Sequence, residues 1–197
     1  MDRLILVRHG ETEWNARKVL QGQADVPLSA RGQAQAQALY PIVRRWQPSS
    51  AVCSDLGRAV QTAALLGWTH AQHDARLREA HLGEWTTREV AELKRDDGAH
   101  YQRWRDGKDS PPGGEDFSAL KARVMTAIDS LSISPGAVLV VTHGGVIRAA
   151  LSSLIGLHPD RIMPVDPASA TVLQMSGAPR LVAYNVSAYD VGTETSD

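Results

Sequence analysis

Two histidines in this 197-residue chain occupy matching positions. His9 comes shortly after the apolar run Leu4–Val7, and His143 comes shortly after the apolar run Val138–Val141. Runs of β-branched residues and leucine without polar alternation are typical of parallel strands that are covered on both faces. Open α/β sheets place their sites at the carboxyl ends of such strands. We therefore expect the two imidazoles to lie over one edge of a sheet.

The side chains expected near this edge are of the types that phosphoryl transfer needs. Four residues are candidates for binding and attacking a phosphoryl group: Arg8, His9, Arg58 and His143. Guanidinium groups bind phosphate oxygens in pairs through charge-assisted hydrogen bonds, and a neutral imidazole can attack phosphorus and form a covalent intermediate. The leaving oxygen also needs a proton, for which Glu79 is a candidate donor. Three nearby carboxyls are alternatives for that role: Glu11, Glu13 and Glu84.

Strands and helices alternate between the two histidines, which is typical of a wound α/β domain. Ser29 is the expected N-cap of a helix that runs to about Trp46 and is interrupted late by Pro41. Fourfold spacing predicts one face of this helix, made of Ala34, Ala38, Ile42 and Trp46. A strand at Ala51–Ser54 and a helix at Leu56–Leu66 follow, which puts Arg58 in the first helical turn above the same sheet edge.

The second half of the chain is less regular at first. Residues 84–117 contain a charged middle and a Pro- and Gly-rich breaker, which predicts short helices and a loop that covers a site. Later elements are expected as helices at Leu120–Leu131 and from Gly144, and as final strands at Ala170–Met175 and Leu181–Val186, antiparallel at an edge. Residues 187–197 are predicted to be a loose tail. The length fits a single domain over 1–197.

Composition narrows the classes of partner. The 21 basic and 22 acidic side chains are interspersed and give a net charge of −1, so the basic stripe of a nucleic-acid-binding protein is missing. The amino terminus has only four consecutive apolar residues before Arg8, too few for a signal peptide or a membrane span. The single cysteine, Cys53, allows no intrachain disulfide. We predict a cytoplasmic protein that binds neither nucleic acid nor membrane.

Five ordered blocks of the sequence closely resemble the histidine phosphatase superfamily, the phosphoglycerate-mutase-like group. They are Leu6–Asn15, Leu28–Ser29 with Gly32, Ser54–Leu56 with Arg58–Ala59 and Gln61–Ala63, Leu77–Glu79 with Gly83 and Trp85, and Val141–Gly145. One Arg-His-Gly triplet alone would be a weak signal, but five blocks in the right order and context are a strong one.

The resemblance implies a three-layer α/β/α sandwich with a largely parallel central sheet and no metal or cofactor. It also implies roles for individual residues. His9 matches the phosphorylated nucleophile, and Glu79 matches the general acid and base. The phosphate-binding positions correspond to Arg8, Asn15, Arg58 and His143. Gln21 and Gly144 are further candidates for substrate contact.

Two departures from the family pattern bear on the reaction. Thr86-Thr87 stands where many members have Glu-Gly, which leaves the shape of that loop open. The interval between the Glu79 block and His143 is short, and Pro111–Glu115 resembles the phosphatase members rather than the mutases. We therefore predict a metal-independent phosphatase of a small phosphorylated metabolite. A cofactor-dependent phosphoglycerate mutase and a non-catalytic phosphate-binding module are the alternatives.

The natural substrate and the oligomeric state, with a homodimer as one alternative, are left open by the sequence. Candidate walls of a substrate cleft are Trp14, Gln21, Gln23, Trp85 and Trp104. If the substrate carries a second anionic group, the candidate cations for it are Arg17, Lys18, Arg103 and Arg105.

Overall fold

The computed structural model describes residues 1–131 and 136–188. Within these ranges one sheet contains β1 (Arg3–Arg8), β2 (Pro48–Cys53), β3 (Gln72–His73), β4 (Ala137–Thr142), β5 (Ala170–Gln174) and β6 (Arg180–Val186). The α-helices are α1 (Glu13–Ala16), α2 (Ala30–Arg45), α3 (Gly57–Leu65), α4 (Val90–Arg105), α5 (Phe117–Leu131) and α6 (Gly144–Ile155). Most of the predicted tail, residues 189–197, lies outside the described residues.

The sheet order is β3-β2-β4-β1-β5-β6. Strands β3, β2, β4 and β1 are parallel, and β5 and β6 add an antiparallel end. This confirms the largely parallel sheet and the antiparallel pair at its edge. The short edge strand β3 has no counterpart in the prediction, since two exposed residues give no hydrophobic period.

Both faces of the sheet are covered, which explains why β1 and β4 are apolar without alternation. Ile5 and Val7 face α2 and α3, whereas Leu4 and Leu6 face the side that carries α4, α5 and α6. Successive residues of a strand point to opposite faces, so a strand buried on both needs apolar residues throughout. The result is the expected three-layer α/β/α sandwich.

The parallel register of β1 and β4 brings the two histidines together. Arg8 pairs with Thr142, the last residue of β4, so His9 and His143 follow directly at the same sheet edge. The backbone N–H of His9 donates to the carbonyl of Thr142 over 2.9 Å, which continues the ladder past the strand end. The loop after β2 reaches the same edge through a hydrogen bond from the Ser54 N–H to the Val141 carbonyl.

Helix α2 confirms the predicted cap but corrects two details. The Ser29 hydroxyl accepts a hydrogen bond from the Gly32 N–H, as expected for an N-cap. The helix continues through Pro41 to Arg45, so the predicted interruption is wrong. Pro41 and the residue four positions before it are both exposed, so the carbonyl that loses its partner faces water.

The predicted face of α2 is also wrong. Its buried residues are Gly32, Gln35, Ala36, Leu39 and Val43. Ala34 is exposed, and Ile42 and Trp46 are half-buried at the margin of the face. Alanine and glutamine occur all around this helix, so sequence spacing alone selected a stripe displaced from the one that contacts the sheet.

Residues 84–117 contain more helix than a loop-rich prediction suggests. Helix α4 spans 16 residues, with a kink at Asp97, where φ is −154° and ψ is 73°. The segment from Asp106 to Asp116 then leads into α5, which begins three residues before its predicted start. None of the helices in the described ranges is long and apolar enough to cross a membrane.

Candidate active site

A cavity of about 150 Å³ opens above the carboxyl ends of the parallel strands. Seven of the eight predicted site residues line it: Arg8, His9, Asn15, Gln21, Arg58, Glu79 and Gly144. The eighth, His143, lies beside His9, with 5.1 Å between the ring centroids, but does not form part of the cavity wall. The structure therefore brings together groups that the chain separates by more than a hundred residues.

The hydrogen bonds of His9 define which ring nitrogen carries the proton. Nε2 lies 3.2 Å from Nε of Arg58, and because a guanidinium can only donate, Nε2 must be the acceptor. The proton is therefore on Nδ1, which donates to the Gly10 carbonyl over 2.7 Å. Burial, followed by the positive charges of Arg58 and Arg8, holds the pKa of His9 well below its ordinary value. The site thus contains a neutral imidazole whose unprotonated Nε2 accepts from Arg58.

Arg58 is only 1% exposed although it carries a charge. Its Nη1 and Nη2 donate to the carbonyls of Ala24 and Gly22, each over 2.7 Å, while its Nε donates to His9. Burial lowers the pKa of Arg58 to about 10. The two carbonyls fix the guanidinium in the first turn of α3, directly against the imidazole.

His143 is fully buried at the N-cap position of α6. Its Nε2 lies 2.9 Å from the Ser54 hydroxyl, and its Nδ1 has no hydrogen-bond partner among the described residues. Burial, then the charge of Arg58, holds the pKa of His143 well below its ordinary value. A buried polar atom without a partner is costly unless a ligand satisfies it, so Nδ1 is a candidate ligand contact.

Arg8, like His143, has a buried nitrogen that is available to a ligand. Its Nη1 donates to the Val165 carbonyl, but its Nε is buried and has no partner among the described residues. Burial lowers the pKa of Arg8, and the nearby carboxylate of Glu79 partly opposes that shift. Together with Arg58 it gives the cavity two desolvated positive charges, and an oxyanion entering there would meet a strong field.

Two backbone amides hold the carboxylate of Glu79. The N–H of Ala80 donates to Oε1 over 2.9 Å, and the N–H of Gly145 donates to Oε2 over 3.1 Å. A Cβ on residue 145 would lie 2.3 Å from Oε1, so only glycine allows this approach. The first turn of α6 thus fixes the position of the carboxylate.

Arg123 of α5 supports the segment that carries Glu79. Its Nη1 donates to the carbonyls of Arg76 and Arg78, and its Nε and Nη2 form a bidentate pair with Glu115 at 2.9 and 2.6 Å. Such a network restricts the backbone just before Glu79. Sequence reasoning did not find Arg123, because a single arginine on a helix gives no signal of its long-range partners.

Asn15 and Gln21 also have groups available to a ligand. The Oδ1 of Asn15 accepts from the backbone N–H and hydroxyl of Thr12 in a capping box, which leaves its Nδ2 for other partners. Gln21 is 7% exposed, and its Oε1 is buried without a partner among the described residues. The Oε1 is an acceptor that suits a donor such as a substrate hydroxyl.

Only some of the remaining candidate residues line the cavity. Of the proposed walls, Trp104 and Gln21 line the cavity, whereas Trp14, Gln23 and Trp85 do not. Trp85 is buried and packs edge-on against Trp104, so it supports the wall from behind. Of the candidate cations, Lys18 and Arg105 line the cavity, whereas Arg17 and Arg103 do not. The alternative carboxyls Glu11, Glu13 and Glu84 are also absent from its lining.

At the Thr86-Thr87 departure from the family pattern, Thr87 has a backbone conformation that glycine favours. Thr87 has a φ of 71°, in the left-handed region that favours glycine, and its N–H donates to the Leu20 carbonyl over 2.9 Å. This part of the loop therefore adopts a glycine-like conformation at the strain cost of a β-branched residue.

The lowered pKa values of the two buried histidines predict how stability depends on pH. In the unfolded chain each histidine binds a proton below about pH 6.5, whereas the folded protein keeps His9 and His143 neutral. The free energy of unfolding should therefore be highest above this pH. It should fall as the pH drops below it, by up to about 1.4 kcal/mol per pH unit for each histidine. Urea unfolding between pH 7 and pH 5.5 measures the slope.

The variant His9→Asn is the control for this slope, because it removes one of the two groups. We expect its stability to fall less steeply with acid than that of the parent. A parent curve that is flat over this range, or a slope that His9→Asn leaves unchanged, would contradict the assignment of neutral imidazoles.

Comparisons with known proteins identify relatives of this chain. The model of the family described as the histidine phosphatase superfamily (branch 1) matches residues 4–187. A glucosyl-3-phosphoglycerate phosphatase of Mycolicibacterium vanbaalenii is 37% identical over 195 residues, covering 90% of this chain and 85% of that protein. A probable phosphoglycerate mutase of Yersinia enterocolitica is 37% identical over 166 residues, covering 81% of this chain and 77% of that protein.

Solved structures show the same likeness. A mycobacterial glucosyl-3-phosphoglycerate phosphatase, determined as a complex with VO3, superposes with a TM-score of 0.87 at 34% identity. The superposition covers 94% of this chain and 99% of that one. A crystal structure of a Thermus thermophilus protein has a TM-score of 0.76 at 36% identity, covering 92% of this chain and 97% of that one.

Proposed function

The chain belongs to the histidine phosphatase superfamily and is a phosphatase of a small phosphorylated metabolite, and we propose that it acts through a phosphohistidine on His9 with Glu79 as general acid and base. One observation carries this proposal. The Nε2 of His9 is unprotonated and accepts from Arg58, in a cavity whose Arg8 Nε has no partner among the described residues. A neutral nucleophile therefore lies between cations that can hold a phosphate.

In the first half-reaction the lone pair of His9 Nε2 attacks phosphorus. The ester P–O bond breaks, and Glu79, which in this proposal takes up a proton from solvent as the phosphate dianion binds beside it, gives that proton to the leaving oxygen, so the alcohol departs and Glu79 becomes a carboxylate again. The phosphate oxygens replace Nε2 as the acceptor of the Arg58 Nε–H. The Gly10 carbonyl, which accepts from Nδ1, keeps the ring in the tautomer that can attack.

In the second half-reaction water attacks the phosphorus of phosphohistidine. The carboxylate of Glu79 accepts a proton from this water, the P–N bond breaks, and its electron pair returns to Nε2. Inorganic phosphate leaves, and Glu79 is again protonated for the next turnover. The two amides that hold Glu79 keep it in reach of both the leaving oxygen and the water.

Charge stabilisation on the equatorial oxygens comes from protein groups in this proposal. Arg8 and Arg58 supply guanidinium donors, and the amide Nδ2 of Asn15 supplies a neutral one. The Ser54 hydroxyl can donate to Nε2 of His143, which puts the His143 proton on the unpartnered Nδ1 and makes it a donor to phosphate. Because these groups supply the positive charge that a metal ion provides elsewhere, we propose a metal-independent reaction. A cytoplasmic setting, where such metabolites occur, belongs to the same proposal.

Relatives named as probable phosphoglycerate mutases raise a second candidate, in which the phosphoryl group returns to a bound acceptor. The test is a phosphate-release assay over a panel of phosphorylated metabolites with EDTA present. We expect inorganic phosphate to appear at the same rate with and without the chelator. Isomerised product without released phosphate would favour the mutase, loss of activity in EDTA would contradict metal independence, and no turnover on any substrate would indicate a binding module.

A further inference from the structure

Arg148 is one of the cations of the cavity wall that take no part in the chemistry above. Arg148 lies on α6 four residues after Gly144, so it is one helical turn, about 6 Å along the axis, beyond the amides at the helix start. It lines the same cavity as Arg8 and His9. It therefore shares the cavity with the expected phosphate and is available to the rest of a small substrate.

The guanidinium of Arg148 has few partners in the protein. Its Nη1 donates to the Arg105 carbonyl over 2.8 Å, and among residues 1–131 and 136–188 no carboxylate forms an ion pair with it. Burial, and after it the positive charge of Arg105, lowers the pKa of Arg148 to about 10. A half-buried cation beside another cation is costly unless an anion compensates it.

The acidic groups on the cavity wall are engaged elsewhere. Asp109 forms an ion pair with Arg103, and Glu115 forms its bidentate pair with Arg123. Glu79 accepts two backbone N–H groups and is required for proton transfer. The anion that suits Arg148 must therefore come from outside the protein.

We propose that Arg148 binds a carboxylate of the substrate, so that the enzyme prefers phosphomonoesters that also carry a carboxylate. This inference rests on the proposed function. With Nη1 donating to the Arg105 carbonyl, the guanidinium keeps its Nε and Nη2 donors, which lie side by side and match the two oxygens of a planar carboxylate. Trp104 and Leu120 line the same cavity, and apolar walls strengthen a charge pair formed there.

The test uses two substrates that differ in this group alone. In 3-phosphoglycerate the carbon remote from the phosphate is a carboxylate, and in the matching enantiomer of glycerol 3-phosphate it is a hydroxymethyl group. We expect kcat/KM to favour 3-phosphoglycerate by at least about tenfold in the parent enzyme. Arg148→Met should reduce this ratio to near unity, and Arg148→Lys should give a value in between.

The matched control is Arg161→Met, the same substitution at an arginine whose side chain is 81% exposed and which does not line the cavity. It should keep the parent ratio. A parent enzyme without preference for the carboxylate, or a ratio that Arg148→Met leaves unchanged, overturns the inference. An equal fall for both substrates also overturns it, because Arg148 would then act through the nearby charge of Glu79.

A binding measurement separates this inference from the proposed reaction. Calorimetric titration of His9→Ala with both compounds should give tighter binding of 3-phosphoglycerate, and the double variant His9→Ala/Arg148→Met should lose that difference. If the parent releases phosphate from neither compound, the proposed reaction on such substrates fails, while the two dissociation constants still decide the role of Arg148. Equal constants in His9→Ala would refute the carboxylate site.

Discussion

Replacing His9 by alanine is expected to lower kcat by at least about 10⁴-fold, because it removes the atom that forms the covalent intermediate in the proposed mechanism. The surrounding cations remain, so the variant should still bind phosphate. Steady-state phosphate release measures the loss, and circular dichroism checks that the fold persists.

The matched control for this variant is His70→Ala, which removes an exposed histidine. We expect it to have the parent rate. Turnover of His9→Ala within about tenfold of the parent would show that His9 is not the nucleophile, since that size of effect corresponds to a lost positioning contact rather than a lost covalent step.

Glu79→Gln is expected to lower kcat on alkyl phosphates by about 10²- to 10⁴-fold, the usual contribution of general acid–base catalysis. Glutamine keeps the shape and one acceptor oxygen for the amides of Ala80 and Gly145, but it can neither donate the proton to an alkoxide nor accept one from water. On p-nitrophenyl phosphate, whose leaving group departs without a proton, formation of phosphohistidine should be affected much less than its hydrolysis. Rapid-mixing kinetics should therefore show a burst of nitrophenol followed by slow turnover.

Glu84→Gln is the control for Glu79→Gln, since Glu84 is an exposed carboxyl of the same segment that does not line the cavity. It should behave as the parent on both kinds of substrate. Equal loss on alkyl and nitrophenyl phosphates without a burst would argue against Glu79 as the general acid.

The central part of the fold was predictable because its signal is local. Uninterrupted apolar runs at Leu4–Val7 and Val138–Val141 indicate strands buried on both faces, and the parallel pairing of such strands brings their ends to one edge. The neighbourhood of His9 and His143 follows from that register. The position of Arg58 in the first turn of α3 could likewise be predicted from the strand and helix that flank it.

Other features depend on long-range contacts that one sequence does not reveal. The buried face of α2 was misjudged, because which of its many alanines meets the sheet is decided by packing. Arg123 and Arg148 look like ordinary arginines on amphipathic helices, and only the assembled structure shows that one reaches the carbonyls around Glu79 and the other enters the cavity. The tautomer of His9 is a further example, since it depends on the donor supplied by Arg58.

Trapping the covalent intermediate tests the central claim most directly. The enzyme is mixed with a hydrolysable phosphomonoester, quenched under conditions that preserve phosphohistidine, digested and analysed by mass spectrometry. We predict the mass of one phosphoryl group on His9, with more of it accumulating in Glu79→Gln because hydrolysis is slowed. Active enzyme that releases phosphate but never carries the label on His9, or carries it on another residue, would contradict the proposed mechanism.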